Sequence, residues 1–172
     1  MMKAPISSEK RVRFVLAVDD DEDHLLAYEL AFARHPDLHL VTVMNTRAAG
    51  VALTDHPIEA VLLDLAIPEE GGIALCRRIK AQARLRHIPV IALSALPAAY
   101  YALPALEAGC CSFLQKPCSL ADIVAEVRRR LEHGTVKGNA GDRPASSSSA
   151  QSCCRSVRSS VARGASARCK AV

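Results

Sequence analysis

Three acids, a serine and a lysine lie far apart in this sequence and could act together on a phosphoryl group. Asp19 and Asp20 follow a short apolar run, Asp64 closes a second one, and Ser94 and Lys116 end two more. Carboxylates that are held close together raise each other's pKa unless a cation relieves the repulsion. Mg²⁺ fits this need, because it prefers oxygen ligands and commonly takes one or two carboxylates together with phosphate oxygens.

With a bound dication, the three carboxylates and Lys116 form an electrically balanced set that still contains a nucleophile. Carboxylates of Asp form aspartyl-phosphates in nucleophilic catalysis, and Asp64 could do so here. The metal would shield the phosphoryl oxygens, Lys116 would pair with them, and Ser94 could donate a hydrogen bond to them. Such chemistry depends on positioning and electrostatics, as phosphoryl transfer does in general.

The elements that must position these residues can be read from the apolar pattern. Strands are predicted at 13–18, 38–43, 59–65, 88–94 and 110–116, and helices at 22–35, 46–56, 72–82, 97–109 and 119–133. Strands that alternate with helices at this spacing indicate an α/β fold, a parallel sheet with helices on both faces. Ligands of such sheets bind beyond the carboxyl ends of the strands, where all five polar residues are expected.

Details of the helices follow from residue type and spacing. Leu26, Leu30 and Ala33 recur at helical spacing in the first helix and predict its buried side. Thr46 is a possible N-cap of the second helix. Pro104 lies inside the fourth predicted helix and should shorten or kink it, since proline lacks a backbone donor.

Composition limits the class of protein. Half of the 172 residues are hydrophobic, only 3% are aromatic and Trp is absent, so the core must be aliphatic. No signal-peptide pattern and no apolar stretch of about 20 residues is present, which favours a cytoplasmic location. The seven cysteines include no pair at C-x-x-C spacing, which argues against a zinc site and against a disulfide framework.

Charge is distributed unevenly and predicts the domain boundaries. Residues 1–133 carry 15 Lys and Arg against 17 Asp and Glu, whereas residues 134–172 carry 7 against one. The second segment is rich in Ser, Gly and Ala and poor in large apolar residues, which predicts a disordered basic tail. It lacks stacking aromatics, so no specific nucleic-acid binding is expected. We therefore predict an N-terminal extension at 1–11, a folded domain at 12–133 and the tail at 134–172.

Four motifs resemble those of the receiver domain of two-component response regulators. AVDDDED resembles the acidic pair after the first strand, and LLDLAIPEEGG resembles the phosphoacceptor segment D-x-x-x-P-x-x-x-G. ALSA resembles the end of the fourth strand, and AGCCSFLQKP resembles the segment that ends in Lys-Pro. The motifs occur in family order with family-like spacing, and the resemblance covers about residues 12–132.

The resemblance implies a doubly wound, flavodoxin-like sheet of five parallel strands in the order 2-1-3-4-5. It implies a cis bond between Lys116 and Pro117. It also implies roles for seven residues: Asp64 as the phosphoacceptor, Asp19, Asp20, Asp64 and the carbonyl of Ala66 as Mg²⁺ ligands, Ser94 and Lys116 as phosphoryl contacts, and Ser94 and Phe113 as switch residues.

The function expected from this resemblance is a phosphorylation switch rather than an enzyme that releases a product. A histidine kinase or a phosphotransfer protein would phosphorylate Asp64, and a stand-alone receiver would act by contact with an unknown protein target. One alternative is an interaction module that keeps the fold without using phosphate. A metal-dependent phosphatase is a third reading, but such enzymes commonly place an acid two residues after the nucleophile, where this sequence has Ala66.

Overall fold

The computed structural model describes residues 11–68 and 70–134, in which five strands alternate with five helices. The strands are β1 (Arg13–Val18), β2 (Leu38–Val43), β3 (Ile58–Asp64), β4 (Val90–Ser94) and β5 (Ser112–Gln115). The helices are α1 (Glu22–Phe32), α2 (Thr46–Asp55), α3 (Gly71–Ala81), α4 (Ala98–Glu107) and α5 (Leu120–Gly134). The predicted N-terminal extension and basic tail lie almost wholly outside the described residues.

All five strands pair in parallel in one sheet, in the order β2-β1-β3-β4-β5. Helices α1 and α5 pack on one face, and α2, α3 and α4 pack on the other. The predicted fold class, strand order and two-sided helix arrangement are therefore confirmed. None of the helices in the described part of the chain is long and apolar enough to span a membrane.

Strands β3 and β4 contribute side chains to a separate core on each face of the sheet. Val61 and Leu63 of β3 join the cluster beneath α2, α3 and α4, whereas Ala60 and Leu62 join the cluster beneath α1 and α5. Successive side chains of a strand point to opposite faces, so a continuous apolar run serves both cores. This is why β3 and β4 contain almost no polar residue before their last position.

Helix α1 buries a different face from the one the sequence predicts. Leu26 and Leu30 are 54% and 64% exposed, whereas Leu25, Tyr28 and Phe32 are buried. The α1 segment has two apolar stripes, and the stripe that packs is the one with both aromatic rings. Aromatic side chains bury more apolar surface than leucine, which favours that rotation of the helix.

Several boundaries and caps also differ from prediction. Asn45, not Thr46, caps α2, because its side-chain oxygen accepts a hydrogen bond of 2.8 Å from the Ala48 amide. The fourth helix is shorter than predicted but continues through Pro104 to Glu107. Strand β5 covers four residues rather than seven, since it begins at Ser112, after Cys110 and Cys111, and ends at Gln115, before Lys116.

Cysteine chemistry matches the expectation of unpaired thiols within the described residues. Cys76, Cys110, Cys111 and Cys118 are free, and the first two are buried. The Sγ atoms of Cys76 and Cys110 lie 3.4 Å apart in the core beneath α3 and α4. Both thiols therefore serve as small core residues.

Helix α3 approaches the end of β3 so closely that only glycine fits at the contact. A Cβ on Gly72 would overlap the backbone carbonyl oxygen of Asp64 and lie 2.7 Å from the Cα of Leu65. Gly71 precedes it with a φ of +74°, a conformation that glycine adopts without strain. The first turn of α3 is thereby packed directly against the backbone of Asp64.

We expect Gly72→Ala to destabilise the protein by at least about 2 kcal/mol, because rigid backbone must move to admit the methyl group. The matched control is Gly50→Ala in the middle of α2, where an added Cβ meets nothing within 4 Å. Since alanine is the better helix former, that change should stabilise the protein by up to about 1 kcal/mol. Urea unfolding of both variants measures the effects, and equal stabilities would contradict the close contact.

Candidate functional site

Polar residues stand at the carboxyl ends of four strands, on one edge of the sheet. Asp19 follows β1, Asp64 ends β3, Ser94 ends β4, and Lys116 follows β5. The chain leaves β1 toward β2 on one side and returns to β3 on the other. Such a reversal opens a crevice at the ends of the two strands, and Asp19 and Asp64 lie there.

Lys116 joins the two buried acids. Its Nζ lies 2.6 Å from Oδ2 of Asp64 and 2.8 Å from Oδ2 of Asp19. The side chains of Lys116, Asp64 and Asp19 are 12%, 7% and 1% exposed. Burial of a charged group is costly unless it is paired and hydrogen-bonded, and this arrangement satisfies that condition for all three.

Asp19 is the most deeply buried of the three charged residues. Its Oδ1 accepts a hydrogen bond of 3.1 Å from the Asp21 amide, and its Oδ2 accepts one of 3.2 Å from the Tyr28 hydroxyl. Burial alone would raise the pKa of Asp19, but the hydrogen bonds from Lys116 and Asp21 outweigh burial and lower the pKa. The carboxylate is therefore held in its charged form.

The pKa values of Lys116 and Tyr28, which both donate hydrogen bonds to Asp19, are raised. Burial would lower the pKa of Lys116, but its hydrogen bonds to Asp19 and Asp64 outweigh burial and raise the pKa. Burial, reinforced by the negative charge of Asp19, raises the pKa of Tyr28. The ammonium thus remains charged and the phenol remains a hydrogen-bond donor at neutral pH.

Each carboxylate oxygen of Asp64 accepts a hydrogen bond, one from the backbone and one from a side chain. Oδ1 accepts a hydrogen bond of 2.7 Å from the amide of Ala66, and Oδ2 faces Lys116. Ala66 itself is exposed and contributes only a methyl group beside the acid. The carboxylate is therefore oriented by one backbone contact and one side-chain contact, and the side chain at position 66 adds no polar group.

Of the two predicted switch residues, Ser94 contacts Lys116 through its backbone, and neither Ser94 nor Phe113 takes part in the ion pairs. Ser94 is fully buried, and its Oγ accepts a hydrogen bond of 3.0 Å from the Leu96 amide. Its carbonyl oxygen accepts a hydrogen bond of 2.8 Å from the Lys116 amide. Phe113 on β5 is half-buried against the core beneath α4. The Lys116–Pro117 bond is cis, as the resemblance implies.

Gln115 connects this edge to α4. Its Oε1 accepts a hydrogen bond of 2.8 Å from the Ala98 amide, and its Nε2 donates one of 3.1 Å to the Ser94 carbonyl. The residue before α4 is Pro97, whose side chain offers no cap. The last residue of β5 therefore supplies the cap for the first turn of α4.

A group that could hold a metal ion consists of Asp19, His24 and Asp64, whose ligand atoms all lie within 4.8 Å of one another. Two of these residues are sequence-predicted ligands. The third predicted carboxylate, Asp20, is exposed and lies outside this group. The donors are two carboxylates and an imidazole, so the oxygen ligands that Mg²⁺ prefers are present.

Sequence reasoning missed His24 and Tyr28 as contacts of the site. Both lie on α1, which begins at Glu22, and the Nδ1 of His24 is 3.1 Å from Oδ1 of Asp19. Their spacing of four residues was the available signal, since residues i and i+4 lie on one face of a helix. Choosing the Leu26 and Leu30 stripe as the buried face concealed it.

Comparison with known proteins defines the class to which this site belongs. A family model described as the response regulator receiver domain matches residues 15–128. The chain belongs to this family, whose members are signalling regulators of two-component systems. The receiver domain of a signal transduction histidine kinase from Syntrophus aciditrophicus is a structural neighbour at 29% identity and a TM-score of 0.66. That likeness covers 78% of this chain and 100% of the neighbour.

Among curated proteins, the chain is 35% identical over 137 residues to the transcriptional regulatory protein CseB of Streptomyces avermitilis, covering 79% of this chain and 56% of that protein. It is 31% identical over 114 residues to the response regulator PleD of Caulobacter vibrioides, covering 66% of this chain and 25% of PleD. The chain thus spans about half the length of CseB and a quarter of PleD.

We expect Lys116→Met to destabilise the protein by about 3 kcal/mol at pH 7, because it leaves two buried carboxylates without their cation. Lys116 has a raised pKa and Asp19 a lowered one. The loss should therefore persist at neutral pH, shrinking only below the ordinary Asp pKa of about 3.9 and above the ordinary Lys pKa of about 10.4.

The matched control repeats Lys116→Met in an Asp64→Asn background, where one fewer negative charge remains to be compensated. Urea unfolding of the four proteins gives the interaction energy between positions 64 and 116. An identical cost for Lys116→Met in both backgrounds would contradict the ion pair.

Proposed function

We propose that the protein is a phosphorylation switch in which Asp64 accepts a phosphoryl group from a histidine kinase or a phosphotransfer protein. The observation that carries this proposal is the convergence of Asp64, Asp19 and Lys116 at the carboxyl edge of the sheet. Membership of the receiver domain family supports the same assignment. The cytoplasmic location expected from the sequence is part of this proposal.

Asp64 is the group suited to attack phosphorus. One of its carboxylate oxygens would form the new O–P bond while the P–N bond of the donor's phosphohistidine breaks. The other would keep an orienting contact, as Oδ1 now has with the Ala66 amide. Lys116 lies 2.6 Å from Oδ2 and would transfer its ion pair to a phosphoryl oxygen as the charge grows there.

Mg²⁺ is the cation proposed to assist this transfer, and when bound it would neutralise charge on the phosphoryl oxygens. Asp19, Asp20, Asp64 and the carbonyl of Ala66 would hold it. The fit rests on the charge of the site: two carboxylates, each less than a tenth exposed, face one ammonium, which leaves a net negative charge for a cation to offset.

Phosphorylation would act by shifting a two-state equilibrium rather than by releasing a product. The Ser94 hydroxyl would exchange its contact with the Leu96 amide for one with the phosphoryl group. Phe113, half-buried against the core beneath α4, would follow into the space that this movement leaves. The surface of α4 and β5 would then present the state of Asp64 to a protein target.

Intact-mass measurement tests the acceptor. With acetyl phosphate and Mg²⁺, we expect the wild-type chain to gain the mass of one phosphoryl group and Asp64→Ala to gain none. Asp55→Asn, which alters an exposed acid at the end of α2, is the matched control and should behave as wild type. An unmodified wild-type chain that also binds no phosphate analogue with Mg²⁺ would instead favour an interaction module that does not use phosphate.

The lifetime of the phosphorylated state should depend on position 66. Ala66 presents only an exposed methyl group beside Asp64, so it cannot orient a hydrolytic water. We expect Ala66→Asn to change the rate of dephosphorylation severalfold, toward faster loss, because the added amide can bind that water. Phosphate release after removal of the donor measures the rate, with Ala81→Asn on the exposed end of α3 as control. An unchanged rate would assign the lifetime to other groups.

A further inference from the structure

His24 brings a nitrogen ligand into a site whose other ligands are oxygens. Its Nδ1 lies 3.1 Å from Oδ1 of Asp19 and 3.2 Å from Nζ of Lys116. The same imidazole belongs to the group with Asp19 and Asp64 whose ligand atoms all lie within 4.8 Å of one another. The ring nitrogen, rather than a ring carbon, therefore faces the point where the two carboxylates converge.

Contacts within and beside the first turns of α1 position the imidazole of His24. Asp21 caps the helix and accepts a hydrogen bond of 3.3 Å from the His24 amide, which fixes the first turn. The ring lies alongside Tyr28, with ring centroids 6.3 Å apart and planes inclined by 19°. Tyr28 is anchored in turn through its hydroxyl to Asp19. Helix geometry thus places His24 beside the acid that it would join in binding a cation.

The ammonium of Lys116 contacts all three ligand residues, at 2.6 Å from Asp64, 2.8 Å from Asp19 and 3.2 Å from His24. It stands where a cation bound by these residues would stand. A dication with shorter, directional bonds would compete with the ammonium for the same atoms. The imidazole is 44% exposed, so the group is open to solvent on that side.

We propose that His24 is a direct ligand that tunes the cation site of this protein toward first-row transition dications, Co²⁺ and Zn²⁺ being examples. Imidazole suits such metals, whereas Mg²⁺ is served by oxygen ligands and water. The two carboxylates and one histidine form a mixed donor set of the kind these metals take. This inference rests on the proposed function, because it adds a ligand to the cation site that the function uses and shifts that site's preference among dications, but binding can be measured without phosphoryl transfer.

Titration with Co²⁺ tests the assignment on the full chain, with the d–d absorption of the bound ion as readout. Co²⁺ can also bind to oxygen ligands without a histidine, so the informative quantity is how the ratio of the Co²⁺ and Mg²⁺ affinities depends on His24. The comparison therefore uses wild type, His24→Ala and His87→Ala. His87 is an exposed histidine that precedes the amino end of β4, whereas the site lies at the carboxyl ends of the strands.

We expect His24→Ala to lower Co²⁺ affinity at least about tenfold, since even loss of an outer-shell partner commonly costs tenfold or more. Its Mg²⁺ affinity should remain near that of wild type, and His87→Ala should change neither. Equal losses for both cations would indicate that His24 only supports the fold of the site. Unchanged Co²⁺ binding, or intense thiolate charge-transfer absorption independent of His24, would place the ion elsewhere. Each of these results overturns the proposal.

Failure of this inference and failure of the proposed function give different results. The mass gain on Asp64 is measured with acetyl phosphate and with Mg²⁺ as the only added metal, and the metal titration is measured without a phosphodonor. A phosphorylated Asp64 with His24-independent Co²⁺ binding would refute only the ligand assignment. Co²⁺ binding that depends on His24, with no modification of Asp64, would refute only the phosphoacceptor role.

Discussion

The ion pairs of Lys116 with Asp64 and Asp19 are the interaction on which the site depends. Two buried carboxylates at the ends of neighbouring strands would repel each other and favour protonation if they stood alone. The ammonium reaches them from beyond β5, across the end of β4, and lies within 2.8 Å of both. The sheet therefore has to bring three strand ends to one place before any chemistry is possible, and the parallel order β2-β1-β3-β4-β5 does so.

Much of this arrangement was predictable because the sequence marks it in two independent ways. Continuous apolar runs such as Val15–Val18 and Val61–Leu63 identify strands buried on both faces, and their polar ends identify the functional edge. Once the strands are parallel, Asp19, Asp64 and Lys116 must share that edge. The spacing of polar residues thus predicted a tertiary contact without any knowledge of distances.

What the sequence did not reveal is decided by packing. The α1 segment has two apolar stripes, and periodicity alone does not distinguish them, so Leu26 and Leu30 were assigned to the core that Tyr28 and Phe32 occupy. That error concealed both helix side chains that touch Asp19. The cap of α2 was missed because Asn45 and Thr46 are both good capping residues. The site itself was less ambiguous, since a parallel sheet places all of its charges at the same edge.

The capping of α4 by Gln115 makes the start of that helix depend on a neighbouring strand rather than on its own sequence. An amide at the first turn of α4 and the carbonyl at the end of β4 are both held by one side chain at the end of β5. Gln115, whose side chain makes both hydrogen bonds, is the residue directly before Lys116. Any displacement of that lysine would be passed, through a single peptide unit and one carboxamide, to the helix on the protein's outer surface.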